Sequence, residues 1–86
     1  MTYTKIEIKS SELQVGDVFR VIKSVGNLSN VFEYEVTKPV TVQHKPHPKF
    51  PDLILVDVII KVKNRRNGQS KTLNYCDTNH TVWRKS

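Results

Sequence analysis

Apolar and polar residues alternate with a period of two along most of this chain, and no stretch carries the 3.6-residue period of an amphipathic helix. Successive strand side chains point to opposite faces, so a chain patterned in this way folds by pairing half-buried strands. Thr4, Ile6 and Ile8 alternate with Lys5, Glu7 and Lys9 in a first strand. Val18 to Val25 is a second, apolar on both faces. Phe32, Tyr34 and Val36 line one side of a third over Val31 to Val36, with Glu33 and Glu35 directed to water. The strongest element is Leu53 to Lys63, where Ile54, Val56, Val58, Ile60 and Val62 form one β-branched face. Its other face runs from Leu53, Leu55 and Ile59 to Lys61 and Lys63. Such length in a small sheet predicts a central strand that bends and serves two sheets. Lys71 to Cys76 and Thr81 to Lys85 complete about six strands.

Turn residues fall between these runs. Ser10 to Asp17 is a turn in which Ser10 or Ser11 caps a single helical turn and Gly16 ends it. Gly26 to Asn30 has loop composition, and Asn67-Gly68 marks a hairpin tip within Asn64 to Ser70. Val40 to Val42 continues past Pro39 as a short edge piece. Pro46, Pro48 and Pro51 deny helix and ladder alike to Gln43 to Asp52, which predicts an extended crossover loop strapped over a barrel, with Phe50 plugging its open end. The expected fold is all-β: one domain over residues 1–86, a small antiparallel barrel or sandwich. Eighty-six residues suffice for one core, and no apolar run is long enough for a membrane helix. The opening residues lack the apolar core of a secretory signal, and Cys76 is the only cysteine. Both features fit a cytoplasmic protein, without membrane contact, in a reducing compartment.

Charge is the next constraint. Residues 1–37 hold four basic and five acidic residues, a net of −1, whereas residues 38–86 hold ten basic and three acidic ones, a net of +7. That asymmetry points to a polyanionic or acidic partner, either nucleic acid (DNA or RNA) or an acidic protein surface. The basic hairpin carries Lys61, Lys63, Arg65, Arg66 and Lys71 with no acid between Asp57 and Asp77, and Arg84 and Lys85 extend the patch. Guanidinium forks match phosphate oxygens, so these seven residues are the candidate nucleic-acid contacts, with Arg65 and Arg66 foremost. Tyr75 and Trp83 are the nearest aromatics, stacking platforms if exposed and core residues otherwise, the second role being the better expectation in so small a domain.

Other constellations are thinner. His44 with His47 and Cys76 with His80 are two pairs of zinc-type donors, but one cysteine and the flanking prolines make a metal site a poor fit, and no metal or cofactor is expected. Cys76 and His80 lack an orienting third residue apart from adjacent Asp77, and the remaining carboxylates are scattered in turns, so the chain is not read as an enzyme. Pro46, Pro48 and Phe50 offer a stiff loop with an apolar anchor for a protein partner. Leu53, Leu55 and Ile59 leave a homodimer open.

Ser11-Glu-Leu-Gln-Val-Gly-Asp-Val-Phe19 after an alternating strand, with Lys71-Thr-Leu-Asn-Tyr75 and Asp77-x-x-x-Thr-Val-Trp-Arg84 at the end, resembles small β-barrel proteins of tailed bacteriophages. The resemblance covers about a third of the chain and implies a Src-homology-three-like barrel. It transfers no active site, and Gln43 to Asp52 departs from the pattern. A phage origin would place the protein in a host cytoplasm and allow a role as an inhibitor of one host protein. The leading expectation is a non-enzymatic module binding nucleic acid through the Lys61–Lys71 hairpin, with a protein-interaction module as the alternative.

Overall fold

The computed structural model describes residues 2–85. Seven strands follow one another: β1 (Tyr3–Lys9), β2 (Val18–Val25), β3 (Leu28–Val36), β4 (Thr41–Pro46), β5 (Ile54–Asn64), β6 (Ser70–Tyr75) and β7 (Asn79–Lys85). The only helical piece among the described residues is a 3₁₀ turn, Ser10–Glu12. Every strand pair is antiparallel. The sheet runs β1-β7-β2-β3-β5, with β4 and β6 also on β5. It is all-β, as the alternation requires, but it does not close into a barrel, because no ladder joins β1 to β6 among the described residues. Its radius of gyration is 14.5 Å, above the ~12 Å of a compact domain of this length. Projecting hairpin ends account for the difference.

The core forms where the strands overlap. Leu13, Phe19, Tyr34, Val36, Val58, Ile60, Val62 and Val82 are buried together, and Ile6, Ile8, Leu73 and Tyr75 pack against them. Only the second half of the β5 inner face is covered, so Ile54 stays exposed although it belongs to the same β-branched row. β5 is central in pairing rather than in burial, since β3 and β4 share one of its edges and β6 takes the other. Between β3 and β4 the register on β5 slips by two residues across Thr37 to Val40, where Pro39 has no N–H to give to a ladder.

Three local expectations are corrected. Gly26 to Asn30 is not a loop: Val25 pairs with Leu28, and Gly26 at φ +59° starts a two-residue turn that only glycine enters without strain. Gln43 to Pro46 is not a crossover but the last four residues of the six-residue edge strand β4, where proline is tolerated at the free end. Neither Ser10 nor Ser11 caps the 3₁₀ turn; the Lys9 amide donates to Glu12 Oε1 at 3.1 Å, and Ser10 is buried instead.

Candidate nucleic-acid interface

Strand pairing places one residue from each of six strands in a single row: Lys5, Trp83, Val18, Glu35, Lys63 and Ser70. Directly opposed residues share a face. Tyr3, Arg20, Glu33, Lys61, Thr72 and Lys85 therefore stand on the same side, two residues along their strands. This is the outer face, opposite the core. Trp83 lies on it, half-buried, with the Arg20 guanidinium 4.7 Å from its ring centroid, so the expectation that it packs in the core is not met. Tyr75 does pack inward, and burial raises its hydroxyl pKa.

The structure sorts the seven candidate cations into paired and unpaired. Arg84 is engaged in an ion pair. Its Nε and Nη2 donate to the two oxygens of Asp17 at 2.9 and 2.8 Å, and Asp17 is 1% exposed. Asp17 also accepts from the Gln14 amide at 2.8 Å, so this carboxylate does more than form a turn, and its own bonds to the Arg84 guanidinium raise the Arg84 pKa. Arg65 donates to Glu33 at 2.7 Å and Lys63 reaches Glu35 at 3.8 Å, so Glu33 and Glu35, on the outer face, also serve these cations. The Arg65 amide also donates to the Glu33 carbonyl at 2.9 Å, which docks the hairpin tip on β3; it is no free arm. Lys61, Arg66, Lys71 and Lys85 have no ion-pair partner among the described residues.

Two of those four meet a lysine that sequence reasoning missed. Thr37, Lys38, Lys61, Ser70, Lys71 and Thr72 line a depression of about 300 Å³, with no carboxylate on its wall. Lys38 arrives because Thr37 donates from both N and Oγ1 to the Lys61 carbonyl, at 2.9 and 3.1 Å, pinning the slip between β3 and β4 against β5. No local motif announces this, since Lys38 and Lys61 lie far apart in sequence. Three lysines and the Ser70 and Thr72 hydroxyls, which unlike that of Thr37 are not spent on the Lys61 carbonyl, line this hollow and suit a phosphate, which accepts from ammonium and hydroxyl groups alike.

Among the described residues no group of three His, Cys, Asp or Glu side chains comes together to hold an ion. Cys76 is exposed. The His80 ring turns inward instead: Nε2 lies 2.6 Å from Ser10 Oγ, with Phe19 and Tyr75 rings at 5.9 and 5.1 Å. The Ser10 hydroxyl reaches the Cys76 and Thr78 carbonyls at 3.0 and 3.3 Å, which ties the end of β1 to the turn between β6 and β7. Burial lowers the His80 pKa below its ordinary 6.5. The folded state therefore resists protonation that the unfolded chain accepts, and stability present above pH 6.5 is lost as pH falls through that value toward the lower folded pKa. Asp77 adds a second loss further into acid, because the Ser11 amide donating to it at 3.0 Å lowers its pKa. A urea midpoint that declines between pH 7 and pH 5, and no longer does so in His80→Gln, is the expected result.

The Pro-rich segment is the tip of the β4–β5 hairpin. His47 Nδ1 accepts from the Lys49 and Phe50 amides at 3.0 and 3.2 Å, and His47 N donates to the Leu53 carbonyl at 2.8 Å. Phe50 is no plug: it is 58% exposed at this tip, beside exposed Leu53 and Ile54. Pro46 and Pro48 are exposed as well. No helix among the described residues is long and apolar enough to cross a membrane. Comparison with protein-family models, curated proteins and solved structures finds no match for this chain.

Proposed function

We propose that this chain is a non-enzymatic module that binds nucleic acid, with the phosphate backbone held at the Lys38–Lys61–Lys71 depression. The observation that carries the reading is the convergence of three lysines, none with an ion-pair partner, on an acid-free hollow at the base of the basic hairpin. Arg66 and Lys85 add unpaired charge, whereas Lys63 and Arg84 are balanced by Glu35 and Asp17, and Arg65 shares Glu33 with Arg20, which leaves one net positive charge on that trio. Backbone binding of this kind releases condensed counterions, so its affinity falls linearly with salt on logarithmic axes. Anisotropy of labelled single- and double-stranded oligonucleotides, followed from low to physiological salt, tests it. Saturable binding that persists at physiological salt, with a slope reporting about three or more released ions, is expected. Binding that vanishes well below physiological salt would reduce the +6 net charge to a solubility device.

A second reading is favoured by the exposure of Phe50. A stiff tip bearing Phe50, Pro46 and Pro48 suits docking on a protein, because it loses little entropy on binding. The phage resemblance would make that partner a host protein and this chain its inhibitor.

A further inference from the structure

On the outer face, a cleft of about 150 Å³ lies between Tyr3 and Trp83, walled also by Val18, Arg20, Glu33 and Arg65. Four of its wall residues, Tyr3, Trp83, Arg20 and Arg65, end in planar ring or guanidinium groups. Arg20 lies 4.7 Å from the Trp83 ring centroid and Arg65 lies 5.8 Å from that of Tyr3. Glu33, itself part of the wall, pairs with both guanidinium groups, at 3.6 Å from Arg20 and 2.7 Å from Arg65. Arg20 and Arg65 thus contribute flat surfaces together with the one positive charge that Glu33 leaves unbalanced. The cleft also shares its face with Lys61, Ser70 and Thr72 of the lysine depression. Trp83 and Lys63 belong to the same row, three strand steps apart, and Lys61 follows Lys63 on that face. Strands are spaced about 4.8 Å apart, so the two features are within roughly 15–20 Å of each other.

Resting on the nucleic-acid reading, we infer that the ligand is single-stranded, with one base stacked in the Tyr3–Trp83 cleft while the backbone crosses to the lysines. A paired and stacked base cannot present its face to a protein, whereas an unpaired one stacks on aromatic rings and on guanidinium planes. A phosphate-only site would have no use for two aromatic rings beside it. Duplex would reach the lysines alone.

Trp83 is the only tryptophan, so its fluorescence reports the cleft directly. Wild-type protein is titrated with a single-stranded oligonucleotide and with the matching duplex, reading tryptophan emission and anisotropy of the labelled nucleic acid together. Quenching of Trp83 by the single strand but not by the duplex, with tighter single-strand binding, is expected. Tyr3→Ala should weaken single-strand binding roughly 5- to 100-fold, the range for loss of one stacked base, with duplex binding and salt slope unchanged. Tyr3→Phe keeps the ring and should keep the affinity, which separates stacking from any damage to β1. Binding of both forms with equal affinity and no quenching would overturn the stacked base and leave the lysine site standing. Binding of neither would overturn both readings.

Discussion

Phe19→Ala is expected to cost about 3–5 kcal/mol, the usual toll for removing a buried phenylalanine. A domain of this length commonly has only about 4–13 kcal/mol to lose, so the variant should sit close to unfolding at 37 °C. The size of the effect follows from position. Phe19 is almost fully buried, with Tyr34 and His80 rings at 6.1 and 5.9 Å, and it pairs with Val82 on one side and Tyr34 on the other. It therefore joins β7 to β3 through β2 at the one place where the open sheet is thick enough to exclude water. Urea denaturation should show the loss as a lower midpoint, with Phe19→Leu keeping most of the stability and Val25→Ala, at an exposed hairpin end, changing it by less than about 0.5 kcal/mol. A Phe19→Ala variant that unfolds at the wild-type midpoint would mean the core is elsewhere.

Arg84→Ala should lower the melting temperature by roughly 10–20 °C, reflecting about 2–3 kcal/mol in a domain of this size. The carboxylate it leaves behind is the reason. Asp17 would keep the Gln14 amide but lose both guanidinium bonds in a place that water scarcely reaches. The estimate lies below the cost of breaking a fully buried pair because the Arg84 side chain is itself 30% exposed. The pair also joins β7 to the turn before β2, and Arg84 Nη2 reaches the Glu12 carbonyl at 3.3 Å, so three segments separate together. Lys85→Ala, one residue on and without such a partner, should leave the melting temperature unchanged. Equal melting of Arg84→Ala and wild-type protein would return Arg84 to the pool of ligand-binding cations.

These two residues show what the sequence exposes and what it hides. Alternation located most of the strands, because apolar spacing is a local property: β2 has the bounds that its pattern implies, and β5 is displaced by a single residue. Proline misled at β4, since the ladder that proline breaks in a sheet centre survives at an edge, and whether a strand is at an edge depends on the whole topology. Charge was legible as a total and illegible as a site. Arg84 and Arg66 look alike in sequence, and only the fold brings Asp17 to one and leaves the other without an acid. Lys38 was invisible for the same reason, because its partners arrive from β5 and β6. Trp83 and Tyr75 are both strand aromatics near the chain end, and register alone sends one outward and the other to the core.

The most direct measurement of the central claim is the salt dependence of nucleic-acid affinity in two variants that treat the charges differently. Lys38→Gln, Lys61→Gln and Lys71→Gln together remove the unpaired cations of the depression. Glu35→Gln with Lys63→Gln removes a neutralised pair and leaves the net charge unaltered. The triple variant is predicted to lose affinity across all sequences and to flatten the logarithmic salt slope by about three, while the paired variant keeps the wild-type slope. A triple variant with the wild-type slope would show that the phosphates are held somewhere other than the Lys38–Lys61–Lys71 depression.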